Sequence, residues 1–252
     1  MRRHLKDGVT IATNTGAILT AINNHAFSEV MQPTVKKPNQ TDAKFITYDI
    51  SCNEDYALHS KFHDWKQTFE FFRTHPVAKA TLATKYIPKR FLSFNPEKKV
   101  RIRFSMMPQK LSSILEPGTT KILDRIKAVN TFIKAGYEIH LNFSPVIVYD
   151  GWKDDYKVLF KLVNEHIKDE YKPEVLAEVI FLTHNVGMHM FNLEAHPETE
   201  KLLWAPSIQE AKTSEYGGRN VRYKAYLKRQ YIEEFKTLHN KEIPWNKIRY
   251  IF

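Results

Sequence analysis

The chain presents its chemistry in five short polar stretches, each directly after a run of strand-like residues. They read Ser51-Cys52-Asn53-Glu54-Asp55, Thr84-Lys85-Tyr86, Ser105-Met106-Met107-Pro108-Gln109-Lys110, Asn142-Phe143-Ser144-Pro145 and Thr183-His184-Asn185. In parallel α/β folds, ligands sit beyond the carboxyl ends of the strands. Hydroxyls, amides, one ammonium and one thiol delivered to a common rim therefore point to a polar cofactor pocket. Ser, Asn and Asp also favour these positions as caps and turns. Cys52 is the single cysteine in 252 residues. That excludes an intrachain disulfide framework, a zinc knuckle and an iron–sulfur cluster held by the chain's own thiolates. A lone cysteine is by default a small buried hydrophobe. His59 and His63 stand four apart and could share a metal, but Asp64 lies about 100° round a helix from His63. His184, His189 and His196 show no recognised ligand spacing, so no metal site is expected.

The elements that must carry these residues follow from periodicity. Short apolar runs at 45–51, 80–84, 100–105, 139–143 and 175–182 alternate with amphipathic segments at 15–27, 57–73, 122–134 and 156–168, and with a short helix near 89–94. Leu58, Phe62, Trp65, Phe69 and Phe72 recur at three- and four-residue steps, and Gly136 stops the 122–134 helix. Val175 to Leu182 reads as a strand buried on both faces. Alternating βα units require a parallel sheet, in a closed or partial barrel or an open doubly wound form. The sequence has eight glycines but no G-x-G-x-x-G and no G-K-[ST], which disfavours dinucleotide and P-loop chemistry and favours the barrel.

Thirty-eight Lys and Arg against 28 Asp and Glu leave a formal charge of +10, which suits a polyanionic partner as well as plain solubility. Residues 201–252 differ in kind from the barrel-like 1–200. They hold eleven Lys and Arg against five Glu, interleaved with Tyr216, Tyr223, Tyr226 and Tyr231. Glu215-Tyr216-Gly217-Gly218-Arg219-Asn220 reads as a tight turn or hairpin tip, because paired glycines supply positive φ without a steric cost. The helix from 223 to 238 turns Leu227, Tyr231, Phe235 and Leu238 inward, leaving Lys224, Lys228, Arg229 and Lys236 for solvent or phosphates. The expected organisation is one domain, with the basic hairpin and helix packed on the partial βα barrel. No apolar run approaches a membrane span or a signal peptide, so the expected location is cytoplasmic.

Five ordered stretches, Asp49-Ile50-Ser51-Cys52-Asn53-Glu54-Asp55, Ala83-Thr84-Lys85-Tyr86, Arg101-Ile102-Arg103-Phe104-Ser105, Glu116-Pro117-Gly118-Thr119 and Ser214-Glu215-Tyr216-Gly217-Gly218, resemble the spore photoproduct lyase family. The resemblance runs from about residue 13 to the last residue. It implies a partial (β/α) barrel of the radical S-adenosylmethionine type, holding S-adenosylmethionine and a [4Fe-4S] cluster and repairing thymine dimers in DNA. It also implies site residues: Cys52 as the hydrogen donor to the thymine radical, Lys85 and Ser105 as contacts to S-adenosylmethionine, and Tyr216 as the hairpin tip against DNA. Arg219, Lys224, Lys228 and Arg229 are the expected phosphate contacts. The family's C-x-x-x-C-x-x-C cluster loop has no counterpart, and Met1-Arg2-Arg3-His4 resembles the family's residues just past that loop. The expectation is a cluster-deficient portion lacking the first strand, or a split half whose upstream polypeptide supplies the loop. Glu54 stands where the family commonly has a hydroxyl, and Glu215 where a basic residue is expected. Two rival expectations are a non-enzymatic DNA-binding module and a small-molecule-binding barrel.

Overall fold

The structure, a computed structural model, describes residues 12–34, 42–51, 55–214 and 217–252. Helix α1 (Thr15–Met31) is followed by strand β1 (Ile46–Asp49), helix α2 (Trp65–Thr74), β2 (Ala78–Thr84), β3 (Val100–Ser105) and α3 (Gln109–Leu115). Then come α4 (Ile122–Lys134), β4 (Glu138–Val146), α5 (Trp152–His166), β5 (Leu176–Phe181), β6 (Thr183–Asn185), α6 (Val186–Ala195) and α7 (Pro197–Leu203). The chain ends with β7 (Gln209–Thr213), β8 (Arg219–Tyr223), α8 (Ala225–Glu242) and β9 (Ile248–Ile251). Among the described residues, six strands form a sheet in the order β1-β2-β3-β4-β5-β9. Every pairing in it is parallel. A second, antiparallel sheet has the order β6-β8-β7.

The expected alternation is present, with differences that have local causes. The helix expected over 57–73 is instead a 3-10 turn at Ser60–Phe62 followed by α2. Asp64 starts α2 anew by accepting a hydrogen bond from Gln67 N at 3.0 Å, and His63 between the two is extended, at φ −126° and ψ 146°. His59 and His63 are thus not one turn apart on a helix. His63 Nε2 lies 2.9 Å from Thr68 Oγ1, and its ring lies edge-on to Trp65.

Strand β5 is not apolar on both faces, because Glu178 lies fully buried in its middle. The sheet has one apolar and one charged side. Leu82, Ile102, Phe104, Leu141 and Phe143 alternate onto the side covered by helices, where they join Phe69 and Phe72 of α2, Val129 and Phe132 of α4, Phe160 of α5 and Phe235 of α8 in one core. Phe143 meets Phe160 at 5.4 Å and Phe235 at 5.9 Å, which ties the last helix to the barrel core. Each such ring contributes about 2–3 kcal/mol by leaving water.

Candidate functional site

The other side of the sheet is built by the intervening residues, and its register brings charges of opposite sign together. Lys79 and Thr81 of β2, Arg101 and Arg103 of β3, Glu138, His140 and Asn142 of β4, and Glu178 of β5 share this concave wall. Arg103 Nη2 lies 2.5 Å from Asp49 Oδ2, and Nη1 lies 3.8 Å from Glu178 Oε2. His140 sits between carboxylates, with Nδ1 2.8 Å from Glu178 Oε1 and Nε2 2.8 Å from Glu138 Oε1. Arg101 holds Glu138 and Asp42 at 2.6 Å each, and Lys79 pairs with the same two carboxylates. The Tyr250 hydroxyl donates to Glu178 Oε2 at 2.6 Å.

Burial alone would push the carboxyls of this wall up, but their partners win. The hydrogen bond from His140 and the charges of His140 and Arg103 bring Glu178 down to about 2. Glu138 is likewise held well below the usual carboxylate range, by His140, Arg101 and Lys79. Glu178 and Glu138 therefore keep their charges at neutral pH. Not every group is satisfied: Thr81 Oγ1, Arg101 Nη1, Arg103 Nε and Asn142 Oδ1 are buried with no hydrogen-bond partner among the described residues. Each such atom costs about 1–3 kcal/mol unless a ligand or neighbouring segment meets it. Their shared face makes the wall suited to a polar ligand.

The rim above this wall is assembled from the strand ends. Ser51 Oγ lies 3.4 Å from Ala83 O and 3.3 Å from Ala83 N. Asp55 Oδ1 accepts from Thr84 Oγ1 at 2.8 Å and Oδ2 from Lys85 N at 2.7 Å, while burial pushes its carboxyl up against these bonds. Cys52 lies outside the described residues, although both anchored residues that flank the 52–54 stretch meet the end of β2.

Lys85 Nζ reaches Glu116 Oε1 at 2.7 Å, so its ammonium already has a carboxylate from the Glu116-Pro117-Gly118-Thr119 stretch. Glu116 Oε2 accepts from Arg125 Nη1 and Nη2 at 3.3 Å each. Arg125 also donates to Ser105 O at 2.8 Å, Thr120 O at 2.8 Å and Thr119 Oγ1 at 2.7 Å. Three of the sequence stretches thus converge on one fully buried guanidinium that sequence reasoning passed over. The available signal was a charge three residues after Ile122, on the helix stripe that Ile126 and Val129 continue.

The hairpin forms as expected, with Lys212 opposite Asn220 and Thr213 opposite Arg219. Gly217 takes φ +76° at its turn, and Ser214 N donates to Gly218 O at 2.8 Å. Tyr216 lies outside the described residues. Lys212, Arg219 and Arg229 are exposed. Lys228 is half-buried: burial, then the charges of Lys212 and Arg222, push its ammonium down. Lys224 donates from Nζ to Ser207 O at 2.7 Å in an exposed hydrogen bond. Arg222, which pairs with Glu210 at 3.0 Å, stands beside the four expected phosphate contacts.

A parallel sheet with helices on one side, a polar strand-end rim and an added hairpin and helix define a partial (β/α) barrel. The spore photoproduct lyase family model matches residues 14–252, and the chain belongs to that family. It is 25% identical to the spore photoproduct lyase of Bacillus subtilis strain 168 over 60% of this chain and 45% of that protein. It is 26% identical to that of Clostridium acetobutylicum over 74% of this chain and 54% of that protein. The chain thus spans about half the length of these curated relatives. A solved spore photoproduct lyase mutant with bound AdoMet and dinucleoside spore photoproduct superposes with a TM-score of 0.77 at 19% identity, covering 93% of this chain and 67% of that one. Among the described residues, no helix is long and apolar enough to cross a membrane.

Proposed function

We propose that this chain forms the substrate- and cofactor-facing part of a radical S-adenosylmethionine enzyme that repairs thymine dimers in DNA, acting in the cytoplasm. The observation that carries the reading is the convergence of the family-like stretches on one rim, above a wall with buried and unpartnered polar atoms.

The residues present fit S-adenosylmethionine. Asn142 and Ser105 stand at paired positions near the strand ends, and Lys85, held by Glu116, presents an ammonium suited to the ligand's carboxylate. They do not fit a [4Fe-4S] cluster, because one cysteine cannot supply the three thiolates of the family loop. The cluster's thiolates come from outside this sequence, in a longer polypeptide or a separate one. Cys52 is the hydrogen donor in this reading: its weak S–H bond hands a hydrogen atom to the carbon radical of the repaired thymine, leaving the radical on sulfur. Tyr216 and Arg219 probe the duplex, while Lys212, Lys224, Lys228 and Arg229 gather phosphates.

The basic cluster together with the single cysteine favours a second reading, a duplex-binding module without chemistry. Fluorescence anisotropy with undamaged and lesion-bearing duplexes, from low to physiological salt, tests both. The expected result is salt-sensitive binding that prefers the lesion and whose salt slope falls by about 0.9 for each phosphate contact removed in Lys212→Ala, Arg219→Ala and Arg229→Ala. Equal affinity for both duplexes would select the second reading, and no binding at low salt would remove both. In the chain alone, incubation with iron and sulfide should give no thiolate-to-iron absorbance at about 400 nm.

A further inference from the structure

The segment from β6 to α7, which begins with the last of the polar strand-end stretches, contains a second cluster of chemistry-bearing side chains. His184 on β6, His189 on α6 and Glu200 on α7 offer ligand atoms that all lie within 4.8 Å of one another. His184 Nε2 is 3.0 Å from Glu200 Oε1 and 3.1 Å from Oε2, and His189 Nδ1 is 2.5 Å from Oε2. The Asn192 amide closes the same side, with Nδ2 2.5 Å from Glu200 Oε1. The three side chains are only 10%, 12% and 4% exposed, in the order His184, His189, Glu200.

Charge balance makes this cluster unusual. A buried carboxylate must be compensated, and among the described residues the ion pairs of Glu200 are with these two imidazoles and with no Lys or Arg. A divalent ion or a proton on one imidazole would meet the requirement. The geometry favours the ion. Two imidazole nitrogens and a carboxylate oxygen converge from three elements; metal bonds of about 2.0–2.1 Å would set them about 3.3 Å apart, which lies between the 2.5–3.1 Å of the present His–Glu contacts and the 4.8 Å that bounds the whole set. The rings are also held in place. His189 stacks on Trp204 with centroids 3.6 Å apart and planes 9° from parallel, and His184 meets the same indole edge-on.

We infer that His184, His189 and Glu200 bind one divalent transition-metal ion, most suitably Zn2+, with a fourth position left for water or for the oxygen of a turned Asn192 amide. The donor set, two imidazoles and a carboxylate, is one that zinc accepts. The consequence is mechanical. Asn185, next to His184, caps α6 and also donates from Nδ2 to Arg219 O at 3.2 Å and to Asn220 Oδ1 at 3.0 Å. An ion joining β6, α6 and α7 would therefore brace the strand on which the basic hairpin hangs. The site stands independently of the proposed DNA chemistry.

The test uses the untagged full chain, stripped with a chelator and titrated with Zn2+ against a chromophoric zinc competitor. One equivalent should bind, and Glu200→Gln and His184→Ala should each weaken it at least about tenfold. Zn2+ should raise the melting temperature of the wild type and not that of either variant. Because a variant could fail to fold, the Co2+ form of the wild type supplies a second reading: intense visible d–d bands of a four-coordinate site are expected. Zinc bound no more tightly by the wild type than by a cooperatively folding Glu200→Gln variant, or a Co2+ spectrum like that of the aqueous ion, would overturn the site and leave a protonated imidazole as the counter-charge.

Discussion

Glu178 makes the electrostatics of the concave wall measurable. Glu178→Gln preserves the shape of the side chain and removes the charge that His140, Arg103 and Arg249 face at 2.8, 3.8 and 3.4 Å. Burial would raise the carboxyl above its ordinary 4.5, but the partners hold it at about 2 in the fold. The folded value lies below the unfolded one. The stabilisation is therefore complete above pH 4.5 and is lost as pH falls toward 2. At about 1.4 kcal/mol for each pH unit of that interval, it amounts to about 3 kcal/mol at neutral pH. Urea unfolding of wild type and Glu178→Gln should accordingly differ by about 3 kcal/mol at pH 7 and by about half of that or less at pH 3. The carboxylates that share no partner with Glu178 titrate alike in both proteins and cancel, whereas Glu138 and Asp49, which share His140 and Arg103 with it, do not. A difference that stays constant from pH 7 to pH 3 would refute the reasoning, because it would place the loss in packing rather than in charge.

Three further perturbations examine neighbouring links. Tyr250→Phe removes the 2.6 Å hydrogen bond to Glu178; it should cost about 1–2 kcal/mol and move the midpoint of acid unfolding, followed by tryptophan fluorescence, to higher pH. Arg125→Met leaves Glu116 with Lys85 alone and strips the donor from Ser105 O; denaturant unfolding should show a loss of about 3–5 kcal/mol, and an unchanged midpoint would mean that the guanidinium does not organise the rim. Phe104→Ala opens the core between β3 and Phe132 and should cost about 3–5 kcal/mol in the same measurement.

The strand and helix rhythm was legible because apolar residues recur at two- and four-residue steps whatever the chain folds against, and the span chosen for the helix at 122–134 is the one α4 occupies. What was lost is equally specific. Helix α6 carries Met190 and Leu193 exposed, so it has no apolar stripe to read, and β9 is four residues long. The Val175 to Leu182 run looked apolar because one glutamate among seven hydrophobic residues is a small signal, yet that glutamate is the hub of the wall.

By itself, the sequence determined the parallel βα order, the polar strand ends, the single thiol and the concentration of positive charge near the end of the chain, since each is a property of neighbouring residues. Only the tertiary structure decided that Asp49 meets Arg103, that Lys85 and Ser105 meet through Glu116 and Arg125, and that His184 and His189 share Glu200. Those contacts join residues whose spacing along the chain carries no period. They arise from strand register and helix placement, which the packing of the apolar core sets, and their chemistry becomes visible only when side chains from separate elements are brought to the same few ångströms.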